Sequence, residues 1–232
     1  MERARRDLRR RPRPGRPAGG SVDLRICVPL GALFEESLGV MEGVGLPVAP
    51  LRDAGRRLIV EVPDGPTYIT TRPSDVPTYV ESGAADIGIV GRDVLLERQP
   101  DVYELADLGF GGCRMAWCTP EGDDPTPAAL ERFGVVRVAT KYVNCAERFF
   151  ASTGRAAEIV KVNGSVELAP LVGLADGIVD LVATGRTLRE NGLVERDPIF
   201  ESTARLIANR VSHKMRAAEL DELVRALGGG AA

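Results

Sequence analysis

The sequence predicts an α/β protein of two lobes, and three observations carry that reading. Short apolar runs alternate with amphipathic segments from residue 24 to residue 227, and such alternation implies parallel sheets covered by helices. Near the middle, Gly109, Gly111 and Gly112 precede a strand-like run, CRMAWCT, which marks a hinge between two such units. The composition, 44% hydrophobic and 27% charged over 232 residues, is that of a globular chain with a sizeable core and room for one or two domains.

Taken in order, residues 24–29 (LRICVP) form a first buried strand. Gly31 then opens an amphipathic helix with Leu33, Phe34, Leu38, Met41 and Val44 on one face. Glu35 and Glu36 near its start complement the helix dipole. The turn at residues 30–33 is therefore a candidate ligand contact. Residues 58–62 and 68–71 read as strands, and Arg72-Pro73-Ser74-Asp75 as a turn that starts a helix over 76–83. Residues 86–90 are a strong strand before Gly91. Beyond the hinge, 113–119 is a strand, 120–127 a polar turn, 135–140 a strand, 144–153 a helix and 158–162 a strand. Residues 200–209 read as one strand and 216–227 as an amphipathic helix. No internal repeat of solenoid period is present.

Charge is uneven. Residues 1–20 hold eight Arg against Glu2 and Asp7, with three prolines and no apolar core of a secretory leader. Residues 1–21 read as a disordered Arg/Pro-rich tail. With no aromatic residue in it, no specific nucleic-acid binding is expected. The formal net charge is −3, so the body is acidic and must bind anions through local sites rather than a favourable overall field. No apolar run is long enough to span a bilayer. Cys27, Cys113, Cys118 and Cys145 form no CxxC pair, which fits a reducing cytoplasm. The single histidine, His213, starts the last helical region and reads as a surface residue, so a Ser-His-Asp mechanism has no support.

The stretch that organises the chain is 163–192 (NGSVELAPLVGLADGIVDLVATGRTLRENG). Residues 166–175 have helical spacing, 178–182 form a buried strand, and Ala183, Thr184, Gly185, Arg186 and Thr187 form a loop that opens another helix. A strand feeding such a loop is an anion site, because the first helical N–H groups lack internal partners and the dipole favours negative charge. Glu167 and Asp180 lie beside it. Carboxylates accept hydrogen bonds from hydroxyls, so phosphate cradle and carboxylates together suit a sugar phosphate.

Glu167, Gly173, Asp176, Asp180-Leu181, Thr184-Gly185 and Thr187-Leu188 resemble the signature of the ATP phosphoribosyltransferase family, and residues 72–97 resemble its short form. The resemblance spans about residues 22–216 and lacks the regulatory domain of the long form. It implies two α/β lobes of the type II periplasmic-binding-protein kind, each a mainly parallel sheet flanked by helices, with the ligand cleft between them. Lobe I would comprise 22–110 plus 203–228, and lobe II, the phosphoribosyl pyrophosphate side, 111–202. The implied reaction joins N1 of the adenine of ATP to C1 of the ribose and releases pyrophosphate, with Mg²⁺ bound mainly through substrate and touched by Glu167 or Asp180. The resemblance places the 5′-phosphate on residues 183–187, the ribose hydroxyls on Glu167 and Asp180, and pyrophosphate near Arg56. Arg72, Gly31 and Lys141 would face ATP, Lys141 more weakly, since an exposed lysine more often reads as a solvated surface cation. It also implies a homodimer of this chain in a cytoplasmic hetero-octamer with a regulatory subunit similar to histidyl-tRNA synthetase. One departure stands out. The family commonly carries Lys-Gly-Arg after the first strand, where this chain has Leu30-Gly31-Ala32. The alternative it leaves open is a non-catalytic two-lobed binding module for a phosphorylated metabolite.

Overall fold

The computed structural model describes residues 24–228; the Arg/Pro-rich tail lies outside the described residues. The first part of the chain gives β1 (Arg25–Pro29), α1 (Phe34–Gly43), α2 (Ala49–Arg52), β2 (Ile59–Glu61), β3 (Thr67–Thr71), α3 (Val76–Glu81), β4 (Ile87–Gly91), α4 (Arg92–Arg98) and β5 (Tyr103–Asp107). The second gives β6 (Cys113–Pro120), α5 (Pro125–Phe133), β7 (Val136–Thr140), α6 (Val143–Ser152), β8 (Ala157–Lys161), α7 (Leu168–Leu171), β9 (Gly177–Val182), α8 (Arg186–Glu190) and β10 (Leu193–Ser202). The chain then returns with β11 (Ala204–Ala208), α9 (Arg210–Met215) and α10 (Ala217–Ala226). Two sheets result, ordered β2-β3-β1-β4-β11-β5 and β10-β6-β9-β7-β8.

The expectation of mainly parallel sheets holds for only part of each sheet, the middle of the first and the β9-β7-β8 half of the second. β1 pairs parallel with β3 and β4, and β7 with β8 and β9. The sheets are mixed, because the chain passes between them twice at one place. β5 runs into the crossing and β11 out of it, so they pair antiparallel, with Arg205 opposite Asp107. β6 leaves the crossing and β10 returns to it, so they too are antiparallel, with Ser202 opposite Cys113. The two crossing strands are tied side by side: Leu108 N–H donates to the Ala204 carbonyl and Ala204 N–H to the Phe110 carbonyl, each at 2.9 Å. The Thr203 hydroxyl donates to Asp107 at 2.8 Å. The single strand expected over 200–209 is therefore two, divided at Thr203 between different sheets.

Each sheet is buried on both faces, as the apolar runs require. In the first sheet Ile26, Val28, Ile89 and Leu206 pack on one side, while Cys27, Val90 and Ile207 pack on the other. In the second, Trp117 meets Phe150 edge-on at 5.2 Å, which makes Trp117 a packing residue. One further expectation changes. The polar turn at 120–127 contains a helix start: Asp124 accepts the Thr126 N–H at 2.9 Å, Pro125 sits in the first turn, and Gly134 closes α5 at φ 74°. Arg114 is held by Glu195 through contacts of 2.6–2.9 Å, a structural pair across β6 and β10.

Candidate functional site

A cleft of about 1340 Å³ lies between the two sheets. It is walled by residues at the carboxyl ends of parallel strands: Ala32 and Leu33 after β1, Arg72 after β3, Lys141 after β7, Lys161 and Asn163 at β8, and Leu181 and Ala183 at β9. Ligands collect at this end of open α/β sheets because each strand there hands over to a loop whose backbone groups are unpaired by the sheet. Gly111, Gly112, Cys113 and Ser202 of the crossing form the floor.

On the second lobe, Thr140 ends β7 with its hydroxyl donating to the Val179 carbonyl at 2.6 Å and accepting the Tyr142 N–H at 2.8 Å. That ties the β7 exit to β9 and fixes where Lys141 leaves the sheet. Lys141 Nζ lies 3.8 Å from Asp180 Oδ1 and 4.9 Å from the centre of the Tyr142 ring. Asp180 Oδ1 is buried and has no hydrogen-bond partner. Burial pushes the Asp180 carboxyl above its usual range. Lys141 and the Leu181 N–H pull it back, and Glu167 and Asp93 push it further up. Glu167 is thus an electrostatic neighbour of Asp180, as the sequence suggests.

The loop 183–187 is differently held. Gly185 precedes α8 at φ 70°, a left-handed conformation that disfavours side chains. The Thr184 carbonyl accepts from Arg189 at 3.2 Å, the Thr184 hydroxyl accepts the Arg186 N–H at 3.4 Å, and the Thr187 carbonyl accepts from Asn191 at 2.8 Å. Arg186 reaches Glu190 at 2.7 Å, and Thr184 and Thr187 are exposed. Every one of these contacts is local to residues 184–191.

Of the residues singled out from sequence, the cleft gathers Arg72, Lys141 and Ala183 on its walls, with Asp180 beside Lys141 and Thr184–Thr187 continuing from Ala183. Gly31 stands at φ 87° just before Ala32 of the wall. Arg56 is not gathered in. It is exposed in the turn between α2 and β2; β2 is the outer edge of its sheet, and because β2 runs antiparallel to β3, with Ile59 opposite Ile69, that turn lies at the carboxyl end of β3, on the cleft side of the sheet but not among the residues lining the cleft. Leu30 is 38% exposed and brings no charge to the β1 exit; Arg72, at the end of the neighbouring β3, is a cation on that side. His213 packs on Tyr103 at 5.0 Å, half-buried in α9.

Sequence reasoning missed Asp93, Glu97 and Tyr142. Asp93 is 7% exposed, accepts from the Ser202 hydroxyl and from the Tyr142 hydroxyl at 3.1 Å each, and its N–H donates to Ser202 at 3.0 Å. Its side chain folds back over Gly91, where a Cβ would overlap Oδ1. Burial, then the charge of Asp93, drives the Tyr142 hydroxyl far above its ordinary range, so it stays a proton donor. The signal was a strand ending in Gly91-Arg92-Asp93, the same strand–glycine–helix pattern read elsewhere. No group of three or more His, Cys, Asp or Glu placed to hold a metal exists among the described residues.

The chain is similar to several known proteins. The family model HisG, ATP phosphoribosyltransferase, matches residues 72–229. An ATP phosphoribosyltransferase of Rubrobacter xylanophilus is 54% identical over 88% of this chain and 95% of its own length. One from Moorella thermoacetica is 50% identical over 88% and 91%. Among solved structures, the ATP phosphoribosyl transferase (HisG:HisZ) complex from Thermotoga maritima aligns with a TM-score of 0.75 at 33% identity, over 88% of this chain and 96% of that one. The periplasmic aliphatic sulphonate binding protein SsuA from Escherichia coli aligns with a TM-score of 0.55 at 12% identity over 88% and 71%, a likeness of fold alone.

Proposed function

The chain belongs to the ATP phosphoribosyltransferase family, the transferases of the first step of histidine biosynthesis, and from that premise we propose how its cleft divides the reaction. Phosphoribosyl pyrophosphate binds lobe II. Its 5′-phosphate sits on Ala183–Thr187, where backbone N–H groups at the start of α8 and two hydroxyls meet it. Asp180 and Glu167 accept from the ribose hydroxyls. ATP enters from lobe I, with Arg72 and the Gly31 turn toward its phosphates. Lys141, between the two, faces the anionic groups that the ligands bring together.

Adenine N1 attacks C1 of the ribose as the bond from C1 to pyrophosphate breaks, and pyrophosphate carries the electron pair away. No covalent bond to the protein forms. The protein holds two anions in line and stabilises charge that grows on the leaving group, which Arg72 and Lys141 are placed to do. Arg56, exposed in the turn beside the β3 exit, keeps the role of facing pyrophosphate from the lobe I side. Mg²⁺ would arrive on the diphosphate and screen its charge; Asp180, with an unpartnered oxygen, is the carboxylate able to meet it. The chain works in the cytoplasm as a homodimer joined to a regulatory subunit similar to histidyl-tRNA synthetase; the HisG:HisZ relative supports the regulatory partner.

The observation that carries the proposal is the Lys141–Asp180 pair at the β7 and β9 exits, on the wall of a cleft made by both lobes. The test is titration of the chain with phosphoribosyl pyrophosphate, native against Asp180→Asn and Arg72→Ala. Asp180→Asn should weaken that binding, while Arg72→Ala should leave it intact and lower kcat/KM for ATP in a turnover assay; the reverse pattern would sink the division of labour.

A further inference from the structure

α6 lacks a cap of its own. The residue at its N-cap position is Tyr142, whose side chain makes no capping hydrogen bond. The first amides of the helix are satisfied instead by a carboxylate of the other lobe: Glu97 in α4 accepts the Asn144 N–H at 3.1 Å and the Cys145 N–H at 2.9 Å, one on each oxygen. The Asn144 side chain returns a bond to the Glu97 carbonyl at 2.9 Å, and Arg148 donates to the Leu96 carbonyl. One helical turn before Glu97, Asp93 takes the Tyr142 hydroxyl at 3.1 Å and is itself fixed to Ser202 at the crossing. Two carboxylates of lobe I thus grip residues 142–145 of lobe II, immediately after Lys141.

Lys141 adjoins that grip. Its ammonium rests 4.9 Å from the Tyr142 ring centre, and its partner Asp180 is 3.8 Å away, a distance too long for a hydrogen bond. The Tyr142 ring is buried in the lobe II core, and its hydroxyl is held from lobe I by Asp93. We propose that Asp93 and Glu97 are positioning residues for phosphoribosyl transfer: by docking on 142–145 they set Lys141 in the cleft, so that closure of the lobes and placement of this cation are one event. This rests on the reading of Lys141 as a contact to the ligands' anionic groups.

The test is a double-mutant cycle on the full chain with its regulatory partner, following phosphoribosyl-ATP formation at saturating ATP and Mg²⁺. Glu97→Ala should lower kcat by about 10- to 100-fold, the scale of a mispositioned group, with KM for phosphoribosyl pyrophosphate little changed because residues 183–187 are untouched. Glu97→Gln, which keeps one acceptor for one amide, should recover part of the loss, and Tyr142→Phe should reproduce part of it. In a Lys141→Ala background Glu97→Ala should add less than about 2-fold, since the group it positions is gone. If Lys141→Ala lowers kcat but the two losses simply multiply, the positioning role is overturned while the reading of Lys141 stands. If Lys141→Ala leaves kcat and KM unchanged, the reading of Lys141 falls and the inference with it. Should Glu97→Ala fail to fold, Glu97→Gln and Tyr142→Phe carry the same cycle, and full activity in both would overturn it.

Discussion

Lobe II presents two strand–loop–helix junctions to the same cleft, and they are built in opposite ways. The β9–α8 junction, residues 183–187, is held only by neighbours within 184–191 and stands exposed. The β7–α6 junction, residues 140–145, is held by β9 behind it and by Asp93 and Glu97 of the other lobe in front. The first is a local device that works wherever its own sequence goes. The second exists only when the two lobes meet. A phosphate that must bind first suits the former, and a cation that must arrive when both substrates are in place suits the latter.

The sharpest way to break the contrast is Lys141→Ala. If the braced junction delivers a charge to the departing pyrophosphate, kcat/KM should fall by about 10²-fold, the size of one lost stabilising donor, with the melting temperature nearly unmoved because Lys141 is half-exposed. Loss of stability in step with activity would make it a structural partner of Asp180 instead. At the exposed junction, Thr187→Val should weaken phosphoribosyl pyrophosphate binding by roughly 1–3 kcal/mol, the cost of one charge-assisted hydrogen bond. Unchanged affinity in a calorimetric titration would remove this loop from the site.

Gly185→Ala probes how self-contained that loop is. The position has φ 70°, so a side chain should cost about 1–2 kcal/mol, and an added Cβ would also press on the Arg189 guanidinium at 3.1 Å. Because the loop's contacts are local, this loss should appear in ligand affinity more than in global unfolding by denaturant. An equal loss in both would show that the loop is coupled to the core.

Asp180→Asn has the smallest expected effect on stability and a definite sign. Burial, the leading cause, raises the carboxyl from its usual 3.8 despite Lys141. The folded protein therefore holds the proton more tightly than the unfolded chain. Ionisation costs stability; that cost is complete above the folded value and vanishes as pH falls below the unfolded one. Asp180→Asn should melt about 1–3 °C higher than the native protein near pH 7, the gain disappearing toward about pH 4, while turnover drops throughout. A lower melting temperature at neutral pH would mean that the Lys141 contact outweighs burial.

What was legible in sequence follows the same division. β1, β4, β7, β9 and the 183–187 loop declare themselves through apolar runs and adjacent turn chemistry, all within a few residues. The family signature around Glu167 and Asp180 is likewise local. Residues 200–209 look like one strand because nothing in their alternation records that Ser202 pairs with Cys113 and Arg205 with Asp107 in another sheet. Glu97 is an ordinary helix-surface carboxylate until α6 is brought to it; the one hint was a helix beginning after Tyr142, a residue that caps poorly. Arg56 was read from its motif alone, and the antiparallel pairing of β2 that brings its turn to the β3 exit is a long-range fact. Asp124-Pro125, by contrast, was a visible helix start read as a turn.

The central claim is that both lobes act on one reaction in the shared cleft. The most direct measurement is phosphoribosyl-ATP formation by the full chain with ATP, phosphoribosyl pyrophosphate, Mg²⁺ and the regulatory subunit. Turnover that collapses in Arg72→Ala of lobe I and in Lys141→Ala of lobe II, each with the fold intact, is the predicted result. Binding of phosphoribosyl pyrophosphate without release of pyrophosphate, in the native protein under the same conditions, would contradict it and leave a two-lobed binding module in place of the transferase.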